Sequence, residues 1–167
     1  MEKTKLIKML KKLEIVTEGS FVLHSGKVSN YYIDIKKSYG NPKLLSKLAT
    51  LIAKNISKKA TCVASTGHGG IPLATVVSII SGLPLILIRE TEKDHGTMGV
   101  IEGYIPGSKD CVAIIDDVYT TGASVKEMIL AVTEYKTKIA GIYVIAWRGE
   151  GKPPTNLSYI FKQTELK

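Results

Sequence analysis

The stretch CVAIIDDVYTTGAS, residues 111–124, decides how the rest of the chain is read. Five apolar or small residues run straight into two adjacent carboxylates, Asp116 and Asp117, and the turn Thr121-Gly122 follows shortly after. The apolar run predicts a buried strand over 111–116, and the residues from Gly122 to Tyr135 predict a helix. A small, polar turn at the mouth of a helix suits an anion. Two carboxylates repel one. The loop therefore joins two recognition elements of opposite preference.

Working outward, apolar strands alternate with helices. TCVAS (61–65), PLILIR (84–89), IAGIYVIAW (139–147) and LSYIF (157–161) read as further strands, PLILIR as a fully buried one. Asn41-Pro42 is an N-cap followed by Pro at the first helical position, opening a helix to about residue 57. IPLATVVSIIS (71–81) is a packed helix that Gly82 can close. The alternation predicts an α/β fold with a parallel sheet covered on both faces. Before it come a helix over 4–14 and two short strands around Ser25-Gly26-Lys27, an appended N-terminal hairpin. One domain is expected over 1–167, with 1–40 as an N-terminal hood and 41–167 as the α/β core.

Composition narrows the function classes. The chain has 167 residues and a net charge of +8, from 23 Lys and Arg against 15 Asp and Glu. A basic excess raises the local concentration of anions, whether nucleic acid or phosphorylated metabolites. Aromatics are only 7%, and neither an RNA-binding aromatic signature nor a zinc-finger spacing occurs, so no nucleic-acid partner is expected. No apolar run is long enough to span a bilayer, and MEKTKLIKMLKKLE lacks the apolar core of a signal peptide, so a cytoplasmic protein without a membrane partner is expected. Cys62 and Cys111 lack C-x-x-C spacing and read as two buried thiols.

In open parallel sheets, ligands bind beyond the carboxyl ends of the strands. Four polar or glycine-rich segments leave those ends: 66–70, 89–103, 116–122 and 147–152. No G-x-x-x-x-G-K-[ST] phosphate loop is present. Gly67-His68-Gly69-Gly70 fits equally a ligand turn and a tight strand-to-helix turn. For 116–124 the chemistry is more telling. Helix-mouth N–H groups and three hydroxyls hold a phosphate without a cation. Paired carboxylates suit the hydroxyls of a ribose and, through water, Mg²⁺. A ribose 5-phosphate carries both features.

CVAIIDDVYTTGAS resembles the phosphoribosyl pyrophosphate (PRPP) signature of the type I phosphoribosyltransferases. Within that family, three more stretches resemble the orotate phosphoribosyltransferases. FVLHSGKVSNYYIDI (21–35) is similar to their F-x-L-x-S-G-x-x-S-x-Y-Y-x-D pattern, GGIPLA (69–74) to the loop that receives pyrophosphate, and RETEKDHG (89–96) followed by IEG to their mobile R-x-x-x-K-D-H-G loop. The hairpin pattern separates orotate enzymes from purine relatives. The resemblance implies a type I phosphoribosyltransferase-like parallel sheet flanked by helices, with an N-terminal helix and hairpin hood that binds the base. It implies transfer of phosphoribosyl from PRPP to orotate, giving orotidine 5-phosphate and pyrophosphate for pyrimidine biosynthesis. Two alternatives stay open: a PRPP-binding regulator without turnover, and an enzyme for another base.

The resemblance also assigns roles. Asp116 and Asp117 would be catalytic, holding the ribose hydroxyls and, indirectly, Mg²⁺ as cofactor. Thr120, Thr121, Gly122, Ala123 and Ser124 would cradle the 5-phosphate, and Val118 and Tyr119 would also bind PRPP. Arg89, Lys93 and His95 would meet the pyrophosphate, with Lys93 catalytic, and the loop would reach the neighbouring subunit of a homodimer with shared active sites. Tyr32 would stack on orotate, Thr120 would approach it, and Arg148 would pair with its carboxylate. Without the resemblance Arg148 reads as a solvated strand-end residue. Three positions depart from the family pattern: Glu90 stands where a basic residue is usual, His24 where many relatives carry Lys and Gly69 where some do.

Overall fold

The computed structural model describes residues 2–22, 26, 28–89, 100–149 and 153–167. Helix α1 (Glu2–Lys12) leads into the hairpin strands β1 (Val16–Val22) and β2 (Val28–Ile33). A 3-10 turn, Ile35–Gly40, carries the chain to α2 (Pro42–Asn55). Then follow β3 (Cys62–Thr66), α3 (Gly67–Ser81), β4 (Leu85–Ile88), β5 (Ile101–Gly103), β6 (Cys111–Tyr119), α4 (Ala123–Thr133), β7 (Lys138–Trp147), β8 (Leu157–Lys162) and α5 (Gln163–Leu166).

Strands β3 to β8 form one sheet in the order β5-β4-β3-β6-β7-β8. All neighbours are parallel except β4 and β5. The short antiparallel edge strand β5 corrects the reading of 90–103 as a polar loop throughout. It pairs Ile101 with Ile88 and Gly103 with Ile86, a ladder that its three residues do not announce. The chain passes outward from β3 to β4, then returns to lay β6 on the other side of β3. The crevice between the carboxyl ends of β3 and β6 is thus the topological switch point, where such sheets bind ligands.

Period-2 alternation explains the two layers. Ala113 and Ile115 of β6 join the core formed with Leu6, Leu10, Leu44, Leu48 and Leu73 of α1, α2 and α3. Val112 and Ile114 face the opposite core with Val125, Met128 and Val132 of α4. Strand β4 is not fully buried, as its sequence suggested: Ile86 and Ile88 are buried, while Leu85 and Leu87 are partly exposed, because it lies next to the edge. Cys62 is buried, but Cys111 is only half-buried.

Two predicted cap signals hold. The Asn41 side chain accepts from Leu44 N at 3.2 Å with Pro42 next to it, and Gly82 closes α3 in the left-handed region at φ 69°. Two boundaries differ by more than two residues. α3 begins at Gly67 rather than Ile71, so Gly67 to Gly70 form its first turn. β6 continues through both acids to Tyr119, in register with β7 up to Trp147. Among the described residues no helix is long and apolar enough to cross a membrane.

Candidate active site

A cleft of about 440 Å³ opens at the switch point. Its floor is Asp116 and Asp117 at the end of β6. On one side lies the first turn of α3, Gly67 to Gly70, and on the other Thr120 and Ser124. Tyr31, Tyr32 and Lys36 come from the hairpin and the 3-10 turn, and Arg148 from the end of β7. A smaller adjoining hollow is lined by Tyr119, Thr121, Gly122 and Ala123. The fold therefore gathers at one place residues of six separate elements.

Two helices point their N-termini into this space. Neither α3 nor α4 has a side-chain cap on its first N–H groups, and neither carries an acid in its first turn. Thr66, the residue before α3, donates its hydroxyl instead to the Ile88 carbonyl at 2.8 Å. Before α4 stands Gly122 at φ 81°, a left-handed turn that favours glycine; a Cβ there would also collide with the Tyr119 hydroxyl. Uncapped helix N-termini present donors and a partial positive charge to anions. The cleft thus offers two anion seats with an acid pair between them.

The acids are built in tightly. Asp116 is 9% exposed, and its Oδ1 accepts from Asp117 N at 2.9 Å. Asp117 Oδ1 accepts from Val118 N at 2.8 Å. A Cβ on Gly69 would lie 2.5 Å from Asp117 Oδ2, so the helix backbone approaches that carboxylate as closely as only glycine allows. Burial, reinforced by the neighbouring Asp117, pushes the Asp116 carboxyl well above the usual range. Burial raises Asp117 too, opposed by the charge of Lys36. Tyr39 donates its hydroxyl to the Gly69 carbonyl at 2.8 Å, and burial with both acids nearby raises that phenol.

Arg148 is 7% exposed, not a solvated strand end. Its Nε donates to the Tyr31 hydroxyl at 2.8 Å and its Nη2 to Ser29 Oγ at 2.9 Å. Its guanidinium lies 4.7 Å from the centre of the Tyr31 ring. Turned so that its nitrogen faces acceptors, the buried Gln163 amide donates to Tyr31 Oη and to the Arg148 carbonyl, each at 2.7 Å. Tyr32 is 39% exposed and packs on Phe21 with ring centres 5.7 Å apart.

Of the residues expected from sequence, Tyr32, Asp116, Asp117, Val118, Thr120, Ser124 and Arg148 line the cleft, and Tyr119, Thr121, Gly122 and Ala123 the adjoining hollow. Arg89 does not line either; its Nε sits 3.2 Å from Glu102 Oε1 beside β5. Lys93, His95, Glu90 and His24 lie outside the described residues. Sequence reasoning missed Lys36 and the tether from Tyr31 to Gln163. Lys36 follows Y-Y-x-D-I directly, which was the available signal.

No three His, Cys, Asp or Glu side chains among the described residues cluster to hold a metal. The acid pair suits Mg²⁺ that brings phosphate and water ligands with it, rather than an ion caged by protein alone.

Residues 36–164 match the family model of the phosphoribosyl transferase domain. The chain is 41% identical over 150 residues to orotate phosphoribosyltransferase of Methanocaldococcus jannaschii, covering 90% of this chain and 85% of that one. It is 37% identical to orotate phosphoribosyltransferase of Methanosphaera stadtmanae over 99% of this chain and 90% of that one. The crystal structure of orotate phosphoribosyltransferase from Aeropyrum pernix superposes with a TM-score of 0.81, at 28% identity, over 96% of this chain and 95% of that one.

Proposed function

Because the chain belongs to the orotate phosphoribosyltransferases, within the phosphoribosyl transferase domain family, we infer that it transfers phosphoribosyl from PRPP to orotate. The observation that carries this is the pair of uncapped helix N-termini flanking the buried Asp116 and the half-buried Asp117. PRPP has a phosphate at each end of a ribose. The α4 turn, Thr120 to Ser124, takes the 5-phosphate, Asp116 and Asp117 take the ribose hydroxyls, and the α3 turn takes the pyrophosphate. Orotate lies under the hood of residues 1–40, against Tyr32 and near Thr120, with its carboxylate on Arg148.

The base nitrogen bonds to the anomeric carbon as the bond to pyrophosphate breaks. The carbon passes through oxocarbenium-like charge, so positioning and electrostatics supply most of the rate. Asp116 and Asp117 would hold Mg²⁺ through water, and the ion supplies positive charge against the leaving group. Arg89, Lys93 and His95 complete the pyrophosphate end, with Lys93 as the catalytic cation. The working protein is a cytoplasmic homodimer. Loss of orotate absorbance on adding PRPP and Mg²⁺ tests the activity.

Shared active sites make a second outcome specific. Lys93→Ala and an Asp116/Asp117 double mutant, each inactive alone, regain activity when mixed under conditions of subunit exchange. Only hybrid dimers then hold one intact site. No recovery, with exchange demonstrated by light scattering or tagged subunits, assigns each loop to its own chain.

A further inference from the structure

We propose that Lys36 is a binding residue for the pyrophosphate group, a role that rests on the reading of the cleft as a PRPP site. Lys36 lies on the 3-10 turn Ile35–Gly40, where side chains three apart eclipse one another. Its eclipsed partner is Tyr39, whose hydroxyl is bonded to the Gly69 carbonyl at 2.8 Å. That bond docks this face of the turn against the first turn of α3. Lys36 accordingly lines the same cleft as Gly67 to Gly70 and the acid pair.

Its ammonium is held in place. Nζ makes an ion pair with Asp34 Oδ1 at 2.9 Å. It donates to the Tyr32 hydroxyl at 3.2 Å. An ammonium has three donors, so one remains for a ligand. Burial alone would lower its proton affinity, but Asp34, Tyr32 and Asp117 hold the group charged.

Charge bookkeeping points the same way. A pyrophosphate in this cleft shares it with Asp116 and Asp117. Arg148 is occupied by Ser29 and Tyr31 on the hairpin side. The α3 turn has no side chain at Gly69, and none fits there beside Asp117. Of the two Lys and Arg side chains among the described residues that line the cleft, Lys36 is the one whose turn is bonded to the first turn of α3.

The test uses inorganic pyrophosphate with Mg²⁺, titrated calorimetrically into the full chain, together with Michaelis constants for PRPP and orotate. Lys36→Gln should weaken pyrophosphate and PRPP by about 10- to 100-fold, the effect of one lost charge-assisted contact. Orotate should change less than about twofold, and Lys36→Arg should recover most of the loss. Lys37→Gln makes the same change of net charge one residue away, where Nζ donates to the Glu14 carbonyl, and should leave pyrophosphate binding intact. Unchanged pyrophosphate affinity in Lys36→Gln, with or without weaker orotate, overturns the proposal and leaves Lys36 as a tether for Tyr32. Equal loss in Lys37→Gln overturns it as well, by making the effect general electrostatics. Wild-type protein that binds pyrophosphate but turns over no orotate refutes the assigned reaction and not the Lys36 contact.

Discussion

Replacing both Asp116 and Asp117 by Asn should weaken PRPP by about 10²- to 10⁴-fold, as two contacts from charged groups are each worth about 1.5–3 kcal/mol. The fold should survive, and should even gain. Asn keeps an oxygen that can accept from Asp117 N and Val118 N, the bonds now made at 2.9 and 2.8 Å. Burial raises both carboxyls above the usual aspartate value of 3.8, so the fold favours their protonated forms. Such a contribution to stability is complete below the unfolded value and is lost as pH rises through the folded one. At neutral pH the wild-type pair therefore opposes folding. The Asn pair, which cannot ionise, should have a higher melting temperature at pH 7, and the difference should close below about pH 3.5. Calorimetry of unfolding and of PRPP binding on the same samples reads both effects. Unchanged PRPP affinity in a folded double mutant would remove the acids from the site.

Arg148→Ala should raise the Michaelis constant for orotate about 10- to 150-fold, since a partly desolvated Arg–carboxylate contact contributes about 1.5–3 kcal/mol. PRPP should be nearly unaffected, because Arg148 follows β7 whereas the phosphate turn follows β6. The effect is sharpened by what holds the guanidinium. Tyr31 and Ser29 fix two of its edges, so little side-chain freedom is lost when the base arrives. Uracil, which has no carboxylate, should be equally poor with both proteins. Equal losses for PRPP and orotate would make Arg148 a general support of the cleft. No loss for either would leave the tethers to the hairpin as its whole role.

Sequence made the α/β alternation and the phosphate turn plain because both are local. Strand β6 and its turn declare themselves in fourteen consecutive residues, 111–124. The caps at Asn41 and Gly82 are likewise single-residue signals. What was hidden depends on distant partners. β5 is a strand because Ile88 and Ile86 offer it an edge. In the first turn of α3, Gly69 lies against Asp117 and Gly70 against Ser65 and Asp116, so these two glycines mark a close approach rather than a loop. Lys36 is brought inward by the 3-10 turn and by the bond from Tyr39 to the distant Gly69. Arg148 looked solvated because its covering residues, Ser29, Tyr31 and Gln163, stand far from it in the chain or past the last strand.

This cleft joins PRPP to orotate in particular. The most direct measurement is product identification after incubation with PRPP and Mg²⁺ in the presence of orotate, uracil, adenine or hypoxanthine. Orotidine 5-phosphate and pyrophosphate should form in equal amounts with orotate, and the other bases should yield little or no nucleotide. Tight PRPP binding without any nucleotide would contradict the claim in favour of a regulator, and preferential use of a purine would contradict it in favour of another base.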